Sequence, residues 1–439
     1  MGQFQLVTLS LGFIGPNMGL SFEWSALSGL IGSLIGTMFM ALHATQGPNM
    51  GLPQMIQSRA QFGYRGVSIP LLAVLVDFLG YNVVCAITIA SGLHTLFGIG
   101  IGPVVALSAL LTAVLSIYGH DWVHRVARWL FYISLPAFGL LTLGIAVGVI
   151  GANKAAAAAY GFNWVAFFTV AAAAASNAIA YAPFVSDYSR YLRRDTPAAP
   201  IIGAVFAGST ISCLWMISIG AWLACYIATP DPVTAINIAG AQINVGVGML
   251  VASVAVCMNL AGMTMNTYSS GLAVLTLRDS LRPAKPTAKR PRVLAIILVT
   301  VLWSLIALAG GDNVVAAAWL MLTLLLYVLV PWTAVNLVDF FFVRRGHYAI
   351  TQFFVPHGIY GDWAWRGLLS YATGLLSMTP FAVLPGLYTG PWARAMGGVD
   401  IAWLVGLVVS AAVYKLVAPD VSNEGAAIAQ SERELEGCA

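Results

Sequence analysis

This chain reads as an all-α polytopic membrane protein. Only 8% of its 439 residues are charged and 59% are hydrophobic, whereas soluble domains carry about 25% charged residues. No water-soluble fold could hide that much apolar surface. The apolar residues also fall in windows of about 20, the helix length that crosses a hydrocarbon core. Finally, the Lys and Arg residues gather in alternate loops, as they do when one side of each loop pair faces the cytoplasm.

The windows lie at roughly 3–22, 25–44, 68–94, 101–118, 129–150, 163–185, 200–228, 243–276, 293–310, 314–343, 367–386 and 400–418, about twelve transmembrane helices. Those at 200–228, 243–276 and 314–343 are longer than one bilayer thickness and must tilt, bend or extend into water. With the N-terminus inside, the inner loops carry Arg59 and Arg65; Arg125 and Arg128; Arg190, Arg193 and Arg194; Arg278 to Arg292; and Arg344, Arg345 and Arg366. The outer loops carry only Lys154 and Arg394. This predicts a multi-pass protein of the cell membrane with both termini cytoplasmic. The basic stretch Arg278–Arg292 (with Lys285) holds three prolines and reads as a solvated linker. The positive-inside bias explains its charge without a nucleic-acid partner. The transmembrane domain is expected over 1–418, and the acidic tail 419–439 is expected to be disordered.

No basic segment precedes the first apolar run, so no cleavable signal peptide is read. Cys85, Cys213, Cys225, Cys257 and Cys438 show no paired metal spacing, and the four inside apolar runs read as small core residues. No metal or cofactor is implied. The alanine runs Ala155–Ala159 and Ala171–Ala175 suit close helix packing.

One stretch does not fit a lipid-facing helix. Gly51–Gly66 reads GLPQMIQSRAQFGYRG. Its glycines relax the backbone, Pro53 blocks helix continuation, and Arg59 and Arg65 are expected to hold it in water. By composition it is a cytoplasmic loop. As a string it resembles the signature loop after the second span of the nucleobase:cation symporter-1 family, the purine/cytosine permeases. Four further stretches resemble that family's motifs in order: APFVSDYSRYL at Ala182–Leu192; NTYSSGL at Asn266–Leu272; VDFFFVRR at Val338–Arg345 with GIY at Gly358–Tyr360; and GGVDIAWLVGLVVSAAVYKL at Gly397–Leu416.

The resemblance implies a LeuT-type architecture, a five-plus-five inverted repeat followed by two extra helices. Repeat one then covers about 1–150, repeat two about 163–343, and the extra helices about 367–418. In such folds the first helix of each repeat is interrupted, and freed backbone groups line a central polar site. Gly12, Gly15 and Pro16 would interrupt span one, with the Gly15–Pro16 step marking the break. Asn177 and Pro183 mark polar and breaking positions in span six. Helix packing or a simple kink would explain the same residues.

A flat neutral heterocycle needs an aromatic face for stacking and an amide for its edge, because an amide both donates and accepts. Phe78 and Asn82 are four apart and share a helix face. They resemble the family's substrate-contacting pair, with Tyr81 and Cys85 as the alternative in another register. Asn177 and Tyr181 repeat the spacing on span six. The family usually places a tryptophan there; this chain has Ala178 at one matching position and Tyr181 at the other, which makes Tyr181 the expected stacking ring. Asn266 matches the family's substrate-binding amide on span eight, with Asn259 two turns earlier on the same face. Thr264 and Thr267 lie nearby, although threonine in a membrane helix commonly bonds its own backbone.

Sodium-coupled members of the family use two hydroxyl side chains on span eight. Leu260 and Ala261 stand at the matching positions and offer no side-chain oxygen. Asp77, a carboxylate within span three, is instead a candidate proton carrier. The expected function is therefore import of a nucleobase, cytosine or a purine, by symport with a proton rather than sodium. Uracil, allantoin, hydantoins and vitamin-like heterocycles are the near alternatives. An enzyme is not expected, because His43, His94, His120, His124, His347 and His357 lie at span ends or in loops. A sensor on the same scaffold would usually carry an added soluble domain. The start of the chain adds one expectation: Met1 to Gly15 covers only about 20 Å of a roughly 30 Å core. The natural start is therefore expected upstream, the alternative being a short first span around which the bilayer thins.

Overall fold

The computed structural model describes residues 3–153, 159–227, 229, 231–282, 289–309 and 314–436. Met1, Lys154, Ala155–Ala158, Lys285 and Cys438 lie outside the described residues. The helices are α1 (Leu6–Leu11), α2 (Ile14–Asn17), α3 (Phe22–Ala44), α4 (Gln46–Met50), α5 (Gln54–Gln57), α6 (Arg59–Phe62), α7 (Ser68–Phe97), α8 (Ile101–Tyr118), α9 (His120–Ala146), α10 (Trp164–Ile179), α11 (Ala182–Ser189), α12 (Ala198–Tyr226), α13 (Pro232–Ala241), α14 (Val245–Leu281), α15 (Lys289–Ala309), α16 (Val314–Val338), α17 (Trp365–Met378), α18 (Pro391–Ala395), α19 (Ala402–Val417) and α20 (Gly425–Glu436). A two-residue-per-strand hairpin pairs Val383–Leu384 with Tyr388–Thr389.

A helix lies under every apolar window, but among the described residues nine helices are long and apolar enough to cross a membrane. The count is ten if α19 and the segment after it, bent by 70°, are taken as one span. The remaining windows hold shorter pieces. The first is broken into α1 and α2, and the one at 367–386 is α-helical only through Met378, after which Pro380 sits in a 3-10 turn at Thr379–Phe381. The fifth span begins at His120, nine residues before its apolar window, because its first turns are basic and aromatic.

The two broken elements each pack on an unbroken helix: α1 lies on α12, and α10 lies on α3, which also packs on α12. Small residues allow it. A Cβ on Gly220 would sit 1.9 Å from the Leu9 carbonyl, and one on Gly12 2.2 Å from that of Ile217. The alanine run Ala171–Ala175 works likewise, since Cβ atoms on Gly32 and Gly36 would fall 2.1 Å and 2.5 Å from the carbonyls of Ala171 and Ala175. α7 and α14 run through the middle, and large apolar side chains such as Leu110, Leu143 and Leu376 stand exposed on the outside, the surface a bilayer covers.

Several expectations need correction. The break in span one falls at Gly12–Phe13 rather than at Gly15–Pro16; Pro16 sits inside the single turn of α2, where the missing N–H costs little. The break in span six falls at Ala180–Tyr181, and Pro183 occupies the second position of α11. Arg59 is not in water: it is 1% exposed, donating to Asp279 at 2.8 Å, to Ser280 at 3.0 Å and to the Phe353 carbonyl at 2.8 Å, with its guanidinium 4.2 Å over the Tyr64 ring. Cys257 is exposed on the outer surface, whereas Cys85, Cys213 and Cys225 are buried. The tail, expected to be disordered, carries α20. Glu424 grips Arg344 through two bonds of 3.0 and 2.9 Å, and the Ser431 hydroxyl accepts from the Thr351 N–H at 3.1 Å. An acidic composition does not prevent order when a buried cation waits for it.

Candidate functional site

The site is built where two segments lose or lack helical hydrogen bonding, residues 3–5 and the Ala180–Tyr181 break, and where the continuous helices α7 and α14 meet them. Gln3 and Gln5 precede the first turn of α1 and are 0% and 2% exposed. The Gln5 amide donates to the Tyr181 hydroxyl at 2.9 Å and accepts from the Tyr81 hydroxyl. The two phenolic oxygens lie 3.4 Å apart. Gln5 can reach this point because α14 presents Gly262, where a Cβ would come within 2.4 Å of its amide. Gln3 and Asn177 bond each other, and the Asn177 amide also reaches the Thr8 hydroxyl at 3.5 Å.

Aromatic rings form a row beside these amides. Tyr81 meets Tyr181 edge-on with centroids 6.5 Å apart, Tyr181 meets Phe184 at 5.0 Å, and Phe184 meets Phe78 edge-on at 5.3 Å. On α7, therefore, both registers face inward: Phe78 extends the row at its far end while Tyr81 touches the amides. Asn82 donates to the Thr267 hydroxyl at 2.8 Å. Its own carbonyl oxygen is buried and has no partner among the described residues. The same is true of Asp77 Oδ1, on a residue 2% exposed. Asn266 is buried next to Thr267, and its backbone carbonyl accepts from Ser270 at 2.6 Å. Asn259 does something else. Its side chain accepts from the Val7 N–H at 3.4 Å and donates to the Cys85 carbonyl at 3.2 Å, which ties the first turn of α1 to α7.

The structure thus brings together Asn177, Tyr181 and, through Phe184, Phe78; Asn82 and Asn266 lie on the facing helices, and Asp77 is one turn before Tyr81. Sequence reasoning passed over Gln3, Gln5 and Phe184, and it read Thr267 as a self-bonding hydroxyl. Thr264 does bond its own backbone, the Leu260 carbonyl, at 2.8 Å. Two glutamines ahead of an apolar run were a usable signal, since such residues inside a membrane need partners.

Below this centre the quoted motifs meet one another. The Gln54 N–H donates to Asp187 at 3.1 Å, Ser186 donates to the Gln54 amide at 2.5 Å, and Gln54 donates to Gln46 at 2.6 Å. Gln46 in turn reaches Asn336 at 2.7 Å, and His43 stacks on Trp332 with centroids 4.8 Å apart. One layer further, buried Asp339 accepts from Gln61 at 2.6 Å, Tyr348 and Tyr414 at 2.8 Å each, and Arg344 at 2.5 Å. Burial opposes the charge of Arg344, but Asp339 and Glu424 outweigh it and hold the guanidinium above its ordinary range.

A family model described as permease for cytosine/purines, uracil, thiamine and allantoin matches residues 2–406. The chain belongs to that family. Among its relatives is a putative purine-cytosine permease, YxlA, of Bacillus subtilis, 34% identical over 93% of this chain and 88% of the relative. The vitamin B6 transporter TPN1 of Saccharomyces cerevisiae is 25% identical over 70% of this chain and 55% of its own length. In fold the chain resembles Mhp1, a nucleobase-cation-symport-1 family transporter solved in a closed conformation with bromovinylhydantoin bound. The TM-score is 0.73 at 16% identity, covering 98% of this chain and 93% of that one. The LeuT-type architecture of this permease family is therefore the architecture here.

Proposed function

We propose that this permease imports a flat, neutral heterocycle of the nucleobase type, cytosine or a purine, by proton symport and alternating access. Its two repeats, about 1–150 and 163–343, would move against each other, with both termini in the cytoplasm. The observation that carries the reading is the pair of buried acceptors without a partner among the described residues, Asp77 Oδ1 and Asn82 Oδ1, beside a row of aromatic rings. A buried polar atom without a partner is costly, so such atoms mark a place where another donor is meant to come. A nucleobase supplies ring N–H and amino donors to its edge and a π-face to Tyr181. Asn82, Asn266 and Asn177 would take its edge, and Phe78 would close the aromatic row. Gln5 now satisfies both tyrosines, so a substrate reaching them must exchange for one of its bonds.

For the ion, Asp77 would carry the proton. Leu260 and Ala261 offer no side-chain oxygen at the positions where sodium-coupled members have hydroxyls, and Thr264, one turn on, is spent on the Leu260 carbonyl. Cells expressing the protein should take up radiolabelled cytosine or a purine, and a competition panel including uracil, allantoin, hydantoins and pyridine vitamins would fix the substrate. Uptake should follow an imposed pH gradient and survive replacement of sodium by choline. No uptake of any of these compounds would overturn the transport reading; strict sodium dependence in proteoliposomes would overturn the ion.

A further inference from the structure

At the end of the molecule that carries the tail, a groove of about 550 Å³ opens between the start of α9 and the end of α11. The central site does not use it, although Tyr188, Tyr191 and Leu192 of the APFVSDYSRYL stretch line it. Arg125 and Arg128 line it from α9, together with His120 and His124; Tyr188 and Tyr191 wall it from α11 and the turn that follows. Among the described residues neither arginine makes an ion pair or a hydrogen bond; the Arg125 guanidinium only rests 5.0 Å over the Trp122 ring. Arg190 stands at the rim, donating to the Tyr191 hydroxyl at 3.1 Å. His124 Nε2 is buried and has no partner among the described residues. The lone carboxylate lining the groove, Asp121, points into water at 91% exposure and pairs with His120 at 3.1 Å. The groove is therefore a cluster of unpaired cations and ring donors with a net positive charge.

Its depth in the membrane follows from the same helix. Trp122, Trp129 and Tyr132 are 46%, 64% and 58% exposed. Large amphipathic rings that face outward are typical of the headgroup level. Leu140 and Leu143, exposed further along α9, lie about 22–27 Å beyond Arg125 at 1.5 Å per residue, within reach of hydrocarbon. The floor is rigid and connected to the rest of the bundle. Tyr188 donates to the Met265 carbonyl of α14 at 2.9 Å, His124 packs against the Tyr188 ring at 5.1 Å, and His120 packs against the Tyr191 ring at 3.8 Å. An anion held here would touch α9, α11 and, through Tyr188, α14.

We propose that this groove binds the phosphate headgroup of an anionic phospholipid from the adjoining leaflet, fastening the start of α9 to the end of α11. The ligand chemistry is a phosphodiester whose oxygens take the arginine donors while its acyl chains run down the apolar face of α9. The inference rests on the membrane architecture and not on the substrate, so it stands or falls independently of transport.

The test titrates purified protein in phosphatidylcholine bicelles with phosphatidylglycerol, following thermal stability. Its water-soluble headgroup, glycerophosphoglycerol, and inorganic phosphate form separate arms. Phosphatidylglycerol should raise Tm saturably, and Arg125→Gln with Arg128→Gln should weaken its apparent affinity about 30-fold. Arg125→Lys with Arg128→Lys should keep it within about 3-fold, while Arg394→Gln, far from the groove, should change nothing. A photoreactive phosphatidylglycerol should label the peptide 120–132 in the unmodified protein, a readout that does not depend on any variant folding. Equal stabilisation of the double glutamine variant, or labelling elsewhere, would overturn the site. Saturation by inorganic phosphate alone at the same affinity would overturn the lipid as its source.

Discussion

The centre of the bundle and its tail-bearing end are both buried and both polar, yet they are built from opposite materials. In the centre the groups are neutral: Gln3, Gln5, Asn177, Tyr81 and Tyr181 bond to one another, and Asn82 to Thr267. At the end they are charged: Arg59 with Asp279, and Arg344 with Asp339 and Glu424, joined by tyrosines and a backbone carbonyl. A neutral hydrogen bond is worth about 0.5–1.5 kcal/mol net and can be traded for an equivalent one. A buried charge cannot be released so cheaply, because removing its partner costs about 3–5 kcal/mol. The bonds of the centre are thus cheap to exchange, and those of the end are not. If the centre is the binding site proposed above, that is the division of labour a carrier needs between such a site and the clamp that joins its loops.

The sharpest way to break this comparison is at the clamp. Arg59→Ala would remove the guanidinium that donates to Asp279, Ser280 and the Phe353 carbonyl, and leave Asp279 with the Tyr64 hydroxyl in place of a charged donor. We expect a loss of about 3–5 kcal/mol of stability, seen as a large fall in Tm in detergent and poor recovery of monodisperse protein. Arg344→Ala should behave likewise. If either variant kept the unmodified Tm, the end would be as exchangeable as the centre and the contrast would collapse.

Asn82→Ala and Asn266→Ala probe the other side. Each should leave the protein folded in the membrane and weaken substrate affinity by about 5- to 150-fold, the loss expected when a buried substrate edge gives up a hydrogen bond worth about 1–3 kcal/mol. Uptake kinetics alongside surface expression would show it. Unchanged affinity in both would remove α7 and α14 from the site.

What could be read beforehand divides along the same line. The spans were legible because apolar length and Lys/Arg placement act locally along the chain, and the break in span six was legible only to within a few residues, since Pro183 stands in the first turn of the helix that follows it. Asn82 and Asn177 were legible because an amide in hydrocarbon has to have a reason. Partners were not legible. Arg59 looked solvated because Asp279 stands 220 residues away, and nothing local says that the two meet. Gln3 and Gln5 are not legible because a window over these residues records apolar content, not the non-helical backbone that brings the Gln5 amide to Tyr181 and the Gln3 amide to Asn177. The break in span one falls three residues before the Gly15–Pro16 step for a related reason: that step is the stronger local signal, but Gly12 is where α1 meets Gly220.

Asp77 tests whether the centre holds any charge at all. Asp77→Asn preserves shape and one acceptor oxygen while removing the proton-binding carboxylate. It should abolish the response of uptake to an imposed pH gradient, while substrate binding and exchange under equal pH on both sides change by no more than about 3-fold. A variant that still follows the pH gradient would place the coupling proton elsewhere.

The smallest effect is expected at Tyr181, and it separates stacking from hydrogen bonding. Tyr181→Phe keeps the ring that meets Tyr81 and Phe184, and removes only the hydroxyl that accepts from Gln5 at 2.9 Å. If Tyr181 serves mainly as a stacking face, affinity should shift by no more than one neutral hydrogen bond, about 0.5–1.5 kcal/mol or roughly 2- to 12-fold. The direction carries further information. Gln5 deprived of the hydroxyl keeps Tyr81 and becomes freer to turn toward a ligand, so tighter binding with slower turnover would mean that the Gln5–Tyr181 bond competes with substrate. Weaker binding would mean that the hydroxyl itself contacts the substrate. A loss as large as that of Asn82→Ala would show that the phenol is a fixed anchor, and the centre would then share the character of the clamp.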